Sequence, residues 1–119
     1  MTTSTTTEGI KIVLHPVSDP ATAKHVYTAL LGQAPQVDEA YYVGYDVAGQ
    51  HIGLVPGGGL QGMSSPVAYW QVSDIEAKIA ELTAAGGVVK DPAREVGGGR
   101  LVATVTDADG NVLGLAQDR

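Results

Sequence analysis

The chain says nearly the same thing twice, and that constrains its fold more than any other feature. Ile12 to Asp19 reads IVLHPVSD and Val67 to Asp74 reads VAYWQVSD, alternating runs that end in the same Val-Ser-Asp 55 positions apart. Gly32 and Gly87 follow them, again 55 apart. Farther on, Asp46 to Leu54 (DVAGQHIGL) and Asp107 to Leu115 (DADGNVLGL) share D-x-x-G-x-x-x-G-L at an offset of 61. The second copy has therefore gained residues between its helix and its hairpin, where Gly97, Gly98 and Gly99 stand in a row. Fixed-offset similarity of this kind means one supersecondary unit used twice: strand, helix, then further strands.

Local chemistry agrees with that reading. Val13, His15 and Val17 alternate with Ile12, Leu14 and Pro16, the period of a strand. Asp19-Pro20 opens a helix, because Asp accepts from the unpaired first N–H groups and Pro is tolerated at the first helical position. Val26, Tyr27, Leu30 and Leu31 give that helix an apolar face, and Gly32 should end it. Asp74 caps a second helix with Ile75, Ile79 and Leu82 as its stripe, ended by Gly86-Gly87. Tyr41 to Val47 and His51 to Val55 form a hairpin around Ala48-Gly49. Leu101 to Thr106 and Val112 to Ala116 form its twin, with Asp109-Gly110 predicting a type I′ turn. Between the copies, PGGGLQGMSSP (56–66) is a linker by composition. It lacks the Lys and Ser/Thr of a phosphate-cradling loop.

Bulk properties narrow the rest. With 119 residues, 44% of them hydrophobic, the chain makes one domain with an ordinary core. No cysteine is present, which excludes disulfides, thiolate metal sites and cysteine nucleophiles. The net charge is −6 with only seven Lys and Arg, so nucleic acid and anionic membranes are poor partners. The start, MTTSTTTEG, has neither the basic nor the apolar region of a secretory signal. Residues 1–9 are expected to be a solvated, disordered tail before a single domain over 10–119, and the location is expected to be cytoplasmic.

The V-S-D strand end, the capped helix with Tyr27 and Leu30-Leu31-Gly32, and the D-x-D-G-N hairpin at Asp107 to Asn111 together resemble the vicinal-oxygen-chelate superfamily of glyoxalases, bleomycin-resistance proteins and extradiol dioxygenases. The resemblance runs from about Ile10 to Ala116. It implies an α+β fold of two βαβββ modules, about 10–55 and 67–116, forming curved mixed sheets around a cleft. In that family four side chains, two per module, hold a divalent metal. The matching positions here are Ile12, Gly53, Val67 and Gly114, and none carries a metal-binding side chain. The resemblance therefore points to a member without the metal site and without another cofactor.

If Ile12 and Val67 face the cleft, strand parity brings Leu14, Tyr69 and Gln71 with them. Gly53 brings His51, and Gly114 brings Val112 and Ala116. The neighbouring strands add Tyr41, Val43 and Tyr45, and Val102 and Thr104. The expected ligand-binding set is Leu14, Tyr41, Val43, Tyr45, His51, Gly53, Tyr69, Gln71, Val102, Thr104 and Gly114. It describes a tyrosine-rich pocket whose two glycines open volume for a flat organic guest. His51 is the single histidine with cleft parity and the one candidate for acid–base work. His15 is read as helix-facing, His25 as solvated and Trp70 as a core anchor. Asp107 and Asp109 are read as turn residues, and Asp38 and Glu39 as a solvated loop.

The leading expectation is a metal-free protein that binds a small organic ligand, sequestering a drug or natural product. The alternatives are a metal-independent isomerase or lyase with His51 as acid/base, a glyoxalase-like enzyme with a non-standard site, and a dimer whose cleft is vestigial. A homodimer is expected, since family members commonly pair their modules within or across chains.

Overall fold

The computed structural model describes residues 6–57 and 62–118. In chain order the elements are β1 (Thr7–Val17), α1 (Pro20–Leu31), β2 (Val37–Glu39), β3 (Tyr42–Val47), β4 (Gln50–Pro56), β5 (Val67–Val72), α2 (Ile75–Ala84), β6 (Val88–Glu95), β7 (Leu101–Thr106) and β8 (Val112–Gln117). This is βαβββ twice, the α+β arrangement expected. Two compact units result, Lys11–Ala68 and Tyr69–Arg119 together with Met1–Ile10. No helix among the described residues is long and apolar enough to cross a membrane. Residues 1–5 of the expected tail and 58–61 of the expected linker lie outside the described residues, whereas Thr7 to Gly9 open β1.

Module one orders its strands β2-β3-β4-β1, with β1 and β4 parallel and the other pairs antiparallel. Asp19 caps α1 by accepting from the Ala21 N–H at 3.1 Å, and Gly32 ends it in the left-handed region at φ 71°. The packed face of α1 is Ala23, Tyr27 and Leu31, set on Val17, Val43, Tyr45, Val47, Ile52 and Leu54. Val26 and Leu30, expected on that face, are 65% and 74% exposed. The chosen stripe follows one strict i, i+4 row, and Val26 and Leu30 each sit one residue, about 100°, off it. Tyr45 seals the row: its hydroxyl bonds Thr28 Oγ1 at 2.9 Å and donates to the Lys24 carbonyl at 3.2 Å. Fully burying side chains such as Val43 or Leu54 contributes about 1.5–3 kcal/mol each, so this face decides the register.

Module two repeats the plan as β5-β8-β7-β6, with β5 and β8 parallel. Asp74 caps α2 through the Ala77 N–H at 3.1 Å. Ile75, Ile79 and Leu82 close over Val72, Ala103, Val105 and Leu115, the stripe expected. Trp70, expected in this core, is 37% exposed. It lies two residues before Val72 on β5, outside the cluster that the α2 stripe closes over. Thr6 and Ser73 are joined by paired hydrogen bonds of 3.0 and 3.1 Å, which tie the start of β1's segment to the end of β5.

The two hairpins turn differently. Ala48 and Gly49 both have positive φ, 52° and 81°, as a type I′ turn requires. The second hairpin was expected to do this at Asp109-Gly110, yet there only Gly110 has positive φ, at 83°. Asp107 takes over instead, accepting from the Asp109 and Asn111 N–H groups at 2.9 and 2.8 Å and from Asn111 Nδ2 at 2.9 Å. These bonds, the Asn111 side chain's foremost, hold its carboxyl below the usual carboxylate range, so Asp107 is a turn residue as read. Asp38 and Glu39, read as loop, form the short edge strand β2.

Candidate active site

A two-residue turn leaves no freedom in register. Closing β3 on β4 through Ala48-Gly49 pairs Asp46 with His51 and Gly44 with Gly53. On the far side β1 sets Ile12 beside His51 and Leu14 beside Gly53. Cross-strand partners share a face, and α1 covers the face of Val43, Tyr45 and Leu54. The opposite face of module one therefore carries Leu14, Tyr42, Gly44, Asp46, His51 and Gly53.

On that face three side chains form a continuous hydrogen-bonded chain. Asp46 Oδ1 lies 2.8 Å from His51 Nδ1, and the Tyr42 hydroxyl lies 2.5 Å from His51 Nε2. The Tyr42 and His51 rings are nearly parallel, 10° apart with centroids at 5.8 Å. A carboxylate can only accept, so neutral His51 places its proton on Nδ1 and accepts from Tyr42 at Nε2. His51 is largely shielded, with 22% of its side chain exposed, while Asp46 is 65% exposed.

Gly44 and Gly53 make room for this chain. A methyl group on Gly44 would meet His51 Cε1 at 2.8 Å and Tyr42 Cε2 at 2.9 Å. One on Gly53 would overlap the Tyr42 hydroxyl and meet Leu14 Cδ2 at 2.7 Å. Opposed glycines let both aromatic rings lie close against the backbone. The expectation that Gly53 opens volume for a guest is corrected here: Tyr42 and Leu14 fill that volume.

Of the expected residues in this module, Leu14, His51 and Gly53 come together. Val43 and Tyr45 do not: they are 1% and 0% exposed in the core under α1. Tyr41 precedes β3 and is 74% exposed. The parity of β3 is shifted by one residue from that expected, which moves Tyr42 and Asp46 onto the site face in their place. The signal was present, since a two-residue turn at Ala48-Gly49 dictates the pairing of Asp46 with His51.

Module two keeps the expected parity. Tyr69, Gly114 and Thr104 form one row across the sheet, and Gln71, Ala116 and Val102 the next, all on the face away from α2. Thr104 donates to Asp91 Oδ2 at 2.6 Å. Burial pushes the Tyr69 phenol up, with Arg94 pulling it down and Asp91 pushing it up by charge. Gln71 Oε1 is buried with no hydrogen-bond partner, a condition that costs about 1–3 kcal/mol when nothing fills it.

A divalent ion of the kind the family holds finds no fitting donor set. Ile12 and Val67 offer only hydrocarbon and Gly53 and Gly114 no side chain. Among the described residues no three His, Cys, Asp or Glu side chains gather to hold a metal ion.

His15, helix-facing as read, receives an edge contact from Tyr27 with ring centroids 5.1 Å apart. Its Nδ1 lies 3.1 Å from the Tyr27 hydroxyl, and burial lowers its pKa.

A search of the curated proteins finds no match. Among solved structures, the NAD-dependent benzaldehyde dehydrogenase from Legionella pneumophila superposes with TM-score 0.72 at 17% identity, over 91% of this chain and 98% of that one. Methylmalonyl-CoA epimerase from Mycobacterium tuberculosis gives 0.71 at 18%, over 100% and 93%. A glyoxalase/bleomycin resistance protein/dioxygenase superfamily member from Vibrio splendidus 12B01 gives 0.66 at 17%, over 96% and 100%. At these identities the likeness is one of fold. The sequence itself matches a family over residues 9–115. The chain belongs to the glyoxalase/bleomycin resistance protein/dioxygenase superfamily.

Proposed function

We propose that this protein binds a small carbonyl compound on the face of module one opposite α1 and moves a proton on it without a metal, as an isomerase or lyase. The observation that carries the reading is the chain Asp46–His51–Tyr42, with His51 held on both nitrogens. His51 Nε2 accepts from the Tyr42 hydroxyl and is placed to take its proton. The Asp46 carboxylate, 2.8 Å from His51 Nδ1, faces the imidazolium that forms. The phenolate then takes a proton from the carbon next to the substrate carbonyl, leaving an enolate and neutral Tyr42. Return of that proton to another face or carbon is isomerisation; departure of a β-substituent before its return is elimination. That an epimerase shares the fold is consistent with such chemistry.

The test is solvent exchange. Small neutral ketones and aldehydes in D₂O, followed by proton NMR, should lose C–H signal in the presence of the protein. Tyr42→Phe and His51→Ala should each slow the exchange by about 10²–10⁴-fold, the usual worth of a positioned acid or base. Dialysis against a chelator should leave the rate unchanged.

A second reading is favoured by the same hydrogen bonds. Both nitrogens of His51 are satisfied within the protein, so the chain can serve as a rigid wall of a pocket that sequesters its guest. Binding without exchange, weakened in His51→Ala, would select this reading over the first.

A further inference from the structure

We infer that module two carries a separate recognition site for an amide-like group, one that presents an N–H donor beside a carbonyl, as lactams, imides and primary amides do. Gln71 and Tyr69 stand two residues apart on β5, on the face away from α2. Gln71 Oε1 is buried and receives no hydrogen bond. Tyr69 is 2% exposed. Among the described residues Gln71 Oε1 is the one buried side-chain polar atom without a partner, although buried polar groups nearly always have one.

On its β8 side the sheet explains why Gln71 Oε1 goes unanswered. Gly114 lies beside Tyr69 and Ala116 beside Gln71. Neither offers more than a methyl group, so β8 supplies no side chain long enough to reach the phenol or the amide. Beyond β8, Thr104 is turned to Asp91 and Val102 is apolar. What is missing is therefore small and specific. Gln71 Oε1 needs a donor, its Nε2 offers one, and the Tyr69 hydroxyl can do either. A group with donor and acceptor side by side answers the primary amide of Gln71 with two parallel bonds. A carboxylate cannot, having no donor for Oε1. Tyr69 adds a flat apolar ring alongside.

Its residues belong to module two and those of the acid–base chain to module one, and the test reads the two separately. The probe is 2-pyridone, a planar lactam, against N-methyl-2-pyridone, which has the same shape without the donor, both titrated by ligand-observed NMR. The expected result is at least tenfold tighter binding of 2-pyridone. Gln71→Leu should abolish that preference while unfolding no earlier than the parent, since it deletes a buried unpaired acceptor. Tyr69→Phe should weaken binding several-fold. His51→Ala should bind 2-pyridone as the parent does, whatever becomes of exchange. Equal affinity for the two probes, no measurable binding of either, or a preference that survives Gln71→Leu would overturn the assignment, leaving Oε1 to an ordered water.

Discussion

Gly53 and Gly44 matter for what they lack. The Tyr42 hydroxyl and the His51 ring occupy the places their side chains would take, so an added methyl is a sharp probe of the site. Gly53→Ala is expected to push Tyr42 off His51 Nε2 and reduce exchange at least tenfold, with the far-UV circular dichroism spectrum unchanged. The displacement reads directly in the ¹⁵N shifts of the His51 imidazole; shifts identical to the parent's would count against the arrangement. His15 gives a second residue-scale prediction, in stability. Its folded pKa lies below the unfolded value of 6.5 because burial disfavours its charge. The unfolded chain therefore takes up that proton first as pH falls. This contribution is intact well above 6.5, is lost as pH drops below it, and levels off beneath the folded pKa. Urea midpoints measured from pH 8 to pH 5 should fall more steeply for the parent than for His15→Gln. Parallel curves would show that His15 does not titrate this way.

At the scale of elements, both helices, their Asp caps and the strands β1, β5, β7 and β8 were legible, because each has a strong local signal. Asp19-Pro20 and Asp74 name helix starts, and the apolar period of Ile75, Ile79 and Leu82 names a packed face. β2 was not legible: Val37, Asp38 and Glu39 are all exposed at a sheet edge, where pairing rather than burial makes the strand. β6 was hidden similarly, since VVKDPARE holds a proline and breaks its register between Val89 and Asp91 and between Asp91 and Arg94. The turns carried a subtler lesson. Asp-Gly is the familiar type I′ pair, yet Ala48-Gly49 adopts that turn while Asp109-Gly110 does not. Asp107's five-residue bracket, closed on Asn111, outweighs the dipeptide preference. Ala48 consequently holds a left-handed φ that costs an alanine about 1 kcal/mol or more. Ala48→Asn is expected to recover about that much, read as a higher urea midpoint with an unchanged slope.

Over the whole molecule, the repeat disclosed the fold and the composition disclosed the site only in part. Offsets of 55 and 61 residues are written in plain sequence, and a βαβββ module used twice is what they produce. Strand parity puts Leu14, His51 and Gly53 on one face, where the register also places them. Tyr42 and Asp46 were missed because parity alone cannot carry a register across a turn; only the turn's length does. Nothing in the sequence announces that Gln71 lacks a partner, since that depends on Ala116 arriving beside it from 45 residues away. The missing donors at Ile12, Gly53, Val67 and Gly114 predict that protein purified without chelator, then offered zinc or manganese, retains well under one ion per chain by elemental analysis. Stoichiometric retention would mean that other side chains hold the ion.

The opposed glycines also bear on ancestry. Position 53 is where the family resemblance places a metal ligand, and here the Tyr42 hydroxyl lies over it. A carboxylate arriving at 53 would evict the tyrosine before any ion could be held, because 12, 67 and 114 would still offer no donor. The two arrangements exclude each other at one spot on β4.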